Sequence, residues 1–148
     1  MPPNTVTASQ QCNCLALRQA ARQVTQFYDQ CLAPSGLRAG QLSILAKLKR
    51  LGPMTINALA RELVMDRTTL GRTVLPLERA GLITVKDGTL DRRSKELKLT
   101  KAGAARLRAA ARLWSEAQTR FEAVFGAERA FRLRNELHAV ASTELGTP

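Results

Sequence analysis

Asp66-Arg67-Thr68-Thr69-Leu70-Gly71-Arg72-Thr73-Val74-Leu75-Pro76-Leu77-Glu78-Arg79-Ala80-Gly81-Leu82 is the stretch on which the rest of the chain hangs. Asp66 is a good helix N-cap, and its negative charge suits the positive end of the helix it opens. Leu70, Val74 and Leu77 recur at i, i+4 and i+7 and make one apolar face. Arg67, Thr68, Thr69, Arg72 and Thr73 fall on the outward face. Gly81 stands where a left-handed residue ends a helix, so a helix is expected over 67–80. Pro76 removes one backbone donor and is expected to kink the helix, past its N-terminal half.

Both flanks extend the pattern. Met54 and Thr55 read as one short strand, and Thr55 then caps a helix over 56–64 with Ile56, Leu59, Ala60 and Leu63 on its apolar face. Met65-Asp66 is the turn between the two helices. After Gly81, the β-rich run 82–86 leads into Asp87-Gly88, a loop holding Arg92, Arg93, Ser94 and Lys95, and a return strand over 96–99. Helix, turn, helix and a hairpin with a basic tip, in that order, make a winged helix-turn-helix over residues 52–100.

The rest is helical. Residues 1–9 are polar with two prolines and are expected to be a disordered tail. A helix over 10–32, holding Cys12, Cys14 and Cys31, ends at Ala33-Pro34-Ser35-Gly36. A second runs over 38–51, with Leu42, Ile44, Leu45, Leu48 and Leu51 as its buried stripe, and stops at Gly52-Pro53. Thr100 caps a long helix over 101–125; Gly126 breaks it, and a last helix over 127–145 carries Phe131, Leu133, Leu137 and Val140. These helices carry more apolar surface than one winged unit can cover. Residues 10–51 and 101–146 are therefore expected to form a helical dimerisation region. The fold class is mainly α with a small β-hairpin wing.

Composition agrees. A chain of 148 residues suits one domain. A net charge of +11 and a pI near 10.8 favour a polyanionic partner, nucleic acid before membrane. The surplus is spread out: residues 54–101 hold ten Lys/Arg against six Asp/Glu, and residues 1–50 hold six against one, so charge alone does not locate the site. Three cysteines and one histidine offer neither a disulfide framework nor zinc-ligand spacing, and no phosphate-binding or nucleophile-elbow motif is present. No enzyme, cofactor or metal is expected. No apolar run approaches the roughly 20 residues of a membrane span, and Met1–Gln11 is not a signal peptide, so a cytoplasmic protein is expected.

The chemistry of the central stretch is that of a major-groove reader of double-stranded DNA. Short polar side chains and arginine near a helix N-terminus can reach base edges. Thr68, Thr69 and Arg72 are placed for this, with Arg72 suited to guanine O6 and N7. Arg67, Thr55 and Asn57 lie where phosphates would pass, and Thr73 shares the outward face. In the hairpin, Arg93 is expected to enter a narrow minor groove, with Asp91 as its ion partner, while Arg92 and Lys95 meet phosphates.

These residues resemble the MarR family of bacterial transcriptional regulators. The resemblance is carried by Leu59-Ala60, Asp66-Arg67-Thr68-Thr69-Leu70, Leu77-Glu78-Arg79-Ala80-Gly81-Leu82-Ile83, Asp91-Arg92-Arg93 and Leu99-Thr100-Lys101-Ala102-Gly103. It implies an obligate homodimer on a pseudo-palindromic operator, usually a repressor released by a small ligand or an oxidant. Cys14-Leu15-Ala16-Leu17, with Thr25-Gln26, Tyr28 and Gly36-Leu37, is similar to the organic-peroxide-sensing branch. That similarity implies a reactive Cys14 bonded by Tyr28 across the dimer, although Arg18 and Ala39 stand where the branch has further tyrosines. Arg18 puts a cation one turn from Cys14, and Cys12 or Cys31, from either subunit, would resolve its oxidation. The family also implies a small aromatic or lipophilic effector, for which Tyr28, Arg22, Ile44 and Trp114 are candidates; Trp114 reads equally well as core. The alternative is a constitutive or architectural DNA binder with no effector.

Overall fold

Period-3.6 apolar faces and well-placed caps give six helices in the computed structural model, which describes residues 10–88 and 93–146. Helix α1 spans Asn13–Leu32, a 3-10 turn follows at Ala33–Ser35, and α2 spans Ala39–Leu51. Strand β1 (Met54–Thr55) leads into α3 (Ile56–Leu63) and α4 (Arg67–Arg79). Strands β2 (Ile83–Asp87) and β3 (Lys95–Leu99) form the hairpin, and α5 (Lys101–Phe125) and α6 (Ala127–Ser142) complete the chain. The expected disordered tail over 1–9 and the hairpin residues Asp91 and Arg92 lie outside the described residues.

The antiparallel sheet has the order β1-β3-β2, with Met54 and Val85 both opposite Leu97 and Ile83 opposite Leu99. Leu97 is fully buried at the middle of this sheet. Around it, Leu59, Leu70, Val74 and Leu77 from α3 and α4 meet Ile44, Leu45 and Leu48 from α2, Leu82 just before β2 and Ile83 of β2 in one aliphatic core. Each such Leu or Ile contributes about 1.5–3 kcal/mol by leaving water. This core fixes α4 from behind and leaves its polar face outward.

Helix boundaries follow local chemistry. Thr55 Oγ1 accepts from the Ala58 N–H at 3.1 Å and opens α3. Val64, expected as the last helical residue, instead adopts a left-handed φ of 53° and ends α3 one residue early. Its side chain lies exposed. Cys12 is not inside α1 as expected; it is the N-cap, its Sγ accepting from the Leu15 N–H at 3.4 Å. Leu51, read as part of the buried stripe of α2, is exposed, because α2 reaches its C-terminus there and the core ends at Leu48. Pro76 is accommodated within α4, whose last turn still closes with Ala80 N–H donating to Pro76 O at 3.0 Å. The last helix stops at Ser142, three residues short of the expected end, with a φ/ψ of −82°/127° at Thr143.

The start of α5 is clamped to the winged unit. Thr100 Oγ1 donates to Gly81 O at 2.7 Å and accepts from the Gly103 N–H at 3.0 Å, while the Thr100 N–H donates to Leu82 O at 3.1 Å. Gly103 is buried, and a Cβ there would lie 2.0 Å from Leu82 O. Farther on, the Arg106 guanidinium donates to Ser35 O at 3.2 Å and ties α5 to the turn after α1. Beyond these contacts, the N-terminal half of α1 and nearly all of α6 are exposed, including Leu15, Leu17, Phe131, Leu133, Leu137 and Val140.

Candidate nucleic-acid interface and effector cleft

Asp66 sets the first turn of α4. One carboxylate oxygen accepts from the Thr69 N–H at 2.8 Å, and the other accepts from the Thr69 hydroxyl at 2.6 Å. These bonds, the hydroxyl first, hold the Asp66 carboxyl below the usual carboxylate range. Arg67, Thr68, Thr69 and Arg72 are all exposed on one side of this turn, as the residue spacing requires. Thr73, expected to face outward, is half-buried; its hydroxyl donates back to Thr69 O at 3.2 Å. On α3, Asn57 is exposed, whereas Thr55 is half-buried and occupied as the cap.

The hairpin flanks this face. Lys95 begins β3 and lies opposite Asp87, to which its Nζ donates at 2.7 Å. A lysine expected to meet phosphate thus holds a cross-strand ion pair in the free chain, exposed enough to be readily exchanged. Arg93 is exposed just before β3. The expected Asp91–Arg93 pair and Arg92 fall outside the described residues. A second ion pair, Lys47 Nζ to Glu62 Oε2 at 3.1 Å, joins α2 to α3 and had no signature in the sequence.

A cleft of about 220 Å³ lies between α1, α2 and α5, lined by Val24, Thr25, Tyr28, Ala39, Leu42, Ser43 and Trp114. Of the effector candidates, Tyr28 and Trp114 are here. Ile44 is not; it points into the core and is fully buried. Arg22 is exposed on α1 and does not line the cleft. Trp114 is half-exposed at the cleft wall, so it is not a core residue. The Tyr28 hydroxyl donates to Gln118 Oε1 of α5. Burial, then the nearby Glu122 and Cys31, raises the Tyr28 pKa, so the phenol stays protonated as a donor. Val24 and Thr25, one turn before Tyr28, were available to sequence reasoning as its helical neighbours; Ala39, Leu42 and Ser43 depend on how α2 crosses α1.

The cysteines are free thiols. Cys14 and Arg18 are exposed on the uncovered part of α1. Cys31 is half-buried, its Sγ accepting from Arg120 Nη1 at 3.5 Å, with the same guanidinium 5.3 Å from the Phe27 ring centroid. Cys14 and Cys31 stand at opposite ends of the continuous helix Asn13–Leu32. At 1.5 Å per residue they are roughly 25 Å apart, whereas a disulfide needs Cα atoms within about 7 Å. Cys31 of the same subunit is therefore too far away to resolve Cys14, contrary to the expectation from sequence.

Known proteins share this arrangement. The MarR family model matches residues 37–95, from the loop before α2 to the start of β3. The M. tuberculosis transcriptional regulator MosR, solved in complex with DNA, is 37% identical, covers 88% of this chain and 94% of its own, and superposes with a TM-score of 0.80. CouR, a transcriptional repressor solved bound to a 23-mer DNA duplex, is 27% identical over 89% of this chain and 94% of its own, with a TM-score of 0.79. The HTH-type transcriptional regulator YwoH of Bacillus subtilis is 34% identical over 85 residues, 57% of this chain, and the match spans 61% of that relative's length. With its winged unit, flanking helices and near-full-length similarity to MosR, the chain belongs to the MarR family of DNA-binding transcriptional regulators.

Proposed function

We propose that this protein is a cytoplasmic homodimeric repressor that binds a pseudo-palindromic operator and is released by a signal. The observation that carries this is the exposed first turn of α4, with Arg67, Thr68 and Arg72 held outward by the Asp66 cap beside a basic hairpin. Residues 10–51 and 101–146 supply the dimerisation region. Two copies would then present their α4 helices to successive major grooves, about one helical turn apart. Arg72 reads guanine, Thr68 and Thr69 read neighbouring bases, and Arg93 enters the minor groove. Arg67, Asn57, Thr55, Arg92 and Lys95 contact phosphates, Lys95 by exchanging Asp87 for the backbone. The assay is binding to selected and random duplexes. Arg72→Ala should cost about 1–3 kcal/mol on the selected site and relax its base preference, while Arg67→Ala should weaken both duplexes alike and lower the salt slope by about one. Equal losses on both duplexes for both variants would refute this division of roles.

Two routes to release are supported. The cleft beside Tyr28 and Trp114 has apolar walls from Val24, Ala39, Leu42 and the Trp114 ring, with hydroxyls at Thr25 and Ser43 and a Tyr28 phenol whose hydrogen is given to Gln118, which suits a small aromatic or lipophilic effector. The second route is oxidation. The Cys14 thiol takes an oxygen from a peroxide, which leaves as the alcohol, and becomes a sulfenic acid; a second thiol then closes a disulfide as water leaves. Cys12, or a cysteine of the second subunit, is within the possible partners. Closing Cys12 onto Cys14 would remove the Sγ that caps α1. Peroxide should weaken DNA binding by the wild type and spare Cys14→Ser; full affinity in both after treatment would remove this route and leave the cleft.

A further inference from the structure

A glycine inside a helix needs a reason, because it gives up more chain freedom on folding than any other residue. Among the described residues, three glycines lie inside helices: Gly40, Gly71 and Gly103. Gly103 answers to Leu82 O, which leaves no room for a Cβ. Gly40 stands in the first turn of α2, where helix hydrogen bonding is only beginning. Gly71 is the fifth of the 13 residues of α4, and neither reason applies to it. Its φ is not positive, and a Cβ built on it meets nothing within 4 Å. Packing within the chain therefore asks for no glycine at 71, and the space left open there lies on the outer surface of α4.

We propose that Gly71 is a clearance for one DNA strand: the missing side chain lets a deoxyribose–phosphate backbone lie directly against the backbone of α4. The proposal rests on the major-groove reading of α4 given above. Helical spacing puts Gly71 one turn after Arg67 and Thr68 and one turn before Leu75. Arg67 and Thr68 are exposed, and Leu75 is 43% exposed although it is apolar. A guanidinium at one end of the gap suits a phosphate, and a leucine at the other suits the apolar face of a deoxyribose. The first acidic side chain along this edge, Glu78, comes two turns later, about 10 Å farther along the helix axis. The edge around Gly71 is thus basic and then neutral, as a strand contact requires. Gly71 touches the strand, donates no hydrogen bond to it and reads no base.

The test fills the gap without harming the helix. Alanine and leucine are both better helix formers than glycine. Full-length Gly71→Ala should melt about 2–4 °C above the wild type, and Gly71→Leu no lower than the wild type. Binding to a selected duplex and to a random one should nevertheless weaken, about tenfold in Gly71→Ala and about a hundredfold or more in Gly71→Leu. The loss should be equal on both duplexes and leave base preference unchanged, because a strand contact carries no sequence information. Wild-type affinity in both variants overturns the proposal while the DNA-reading role stands. A loss confined to the selected duplex does the same, since it puts Gly71 at a base edge. A lower melting temperature for Gly71→Ala also overturns it, because the space is then needed within the fold. A wild type that binds neither duplex overturns the DNA reading itself and the proposal with it.

Discussion

Asp66 is the residue at which helix formation and the proposed recognition meet. Its carboxyl is held below the usual range by the hydroxyl and N–H of Thr69 and by the N–H of Thr68. A depressed carboxyl contributes stability that is present above its unfolded value of about 4 and is lost as pH falls through the lower folded value. The stability difference between wild type and Asp66→Ala should therefore be full at neutral pH and shrink below about pH 4, read by thermal unfolding across that range. A difference that stays constant down to pH 2 would mean that the carboxylate does not carry the cap. The cap itself was legible in the sequence, because Asp before an amphipathic run is a strong start signal. The second bond was not, since it depends on the Thr69 rotamer. Thr73 shows the same limit: helical spacing placed it outward, but its side chain turns back onto its own helix.

Elements were legible where a face repeats and a terminus is marked. The helices α4 and α5 begin and end within a residue of expectation because Asp66, Gly81, Thr100 and Gly126 punctuate them. What joins elements was less legible. The run Leu99-Thr100-Lys101-Ala102-Gly103 announces a cap, but the need for glycine arises from Leu82, a residue distant in sequence. Gly103→Ala would drive a methyl into Leu82 O and should cost about 1–3 kcal/mol or more, measured by denaturant unfolding. Gly71, inside α4, has nothing within 4 Å of a built Cβ. Gly71→Ala should accordingly stabilise the chain by about 0.5–1 kcal/mol. If both substitutions shift stability alike, the clamp between the wing and α5 is not a tight contact. The effector cleft was half-read for a related reason. Tyr28 and Trp114 announce themselves as rare aromatics, but its remaining wall is set by helix crossings, which place Ile44 in the core and Leu42 at the cleft.

At the scale of the molecule, the dominant feature is apolar surface on α1 and α6 that one chain does not cover. Sequence patterning anticipated this surplus, because Leu15, Leu17, Phe131, Leu133, Leu137 and Val140 have no winged unit to pack against. The proposed second copy of the chain would cover this surface and double the exposed α4 face, and the net charge of +11 per chain would make such a pair strongly attractive to phosphate. Affinity for DNA should consequently fall steeply between 50 and 200 mM salt, by about 10³-fold or more if six or more phosphates are contacted. On this reading two copies act as one head on one duplex. The most direct test is the mass of the complex on a selected pseudo-palindromic duplex, by sedimentation equilibrium, with the free protein run beside it. A paired reading head gives a dimer in both cells and two chains per duplex. A free monomer that binds as one chain per duplex would contradict it.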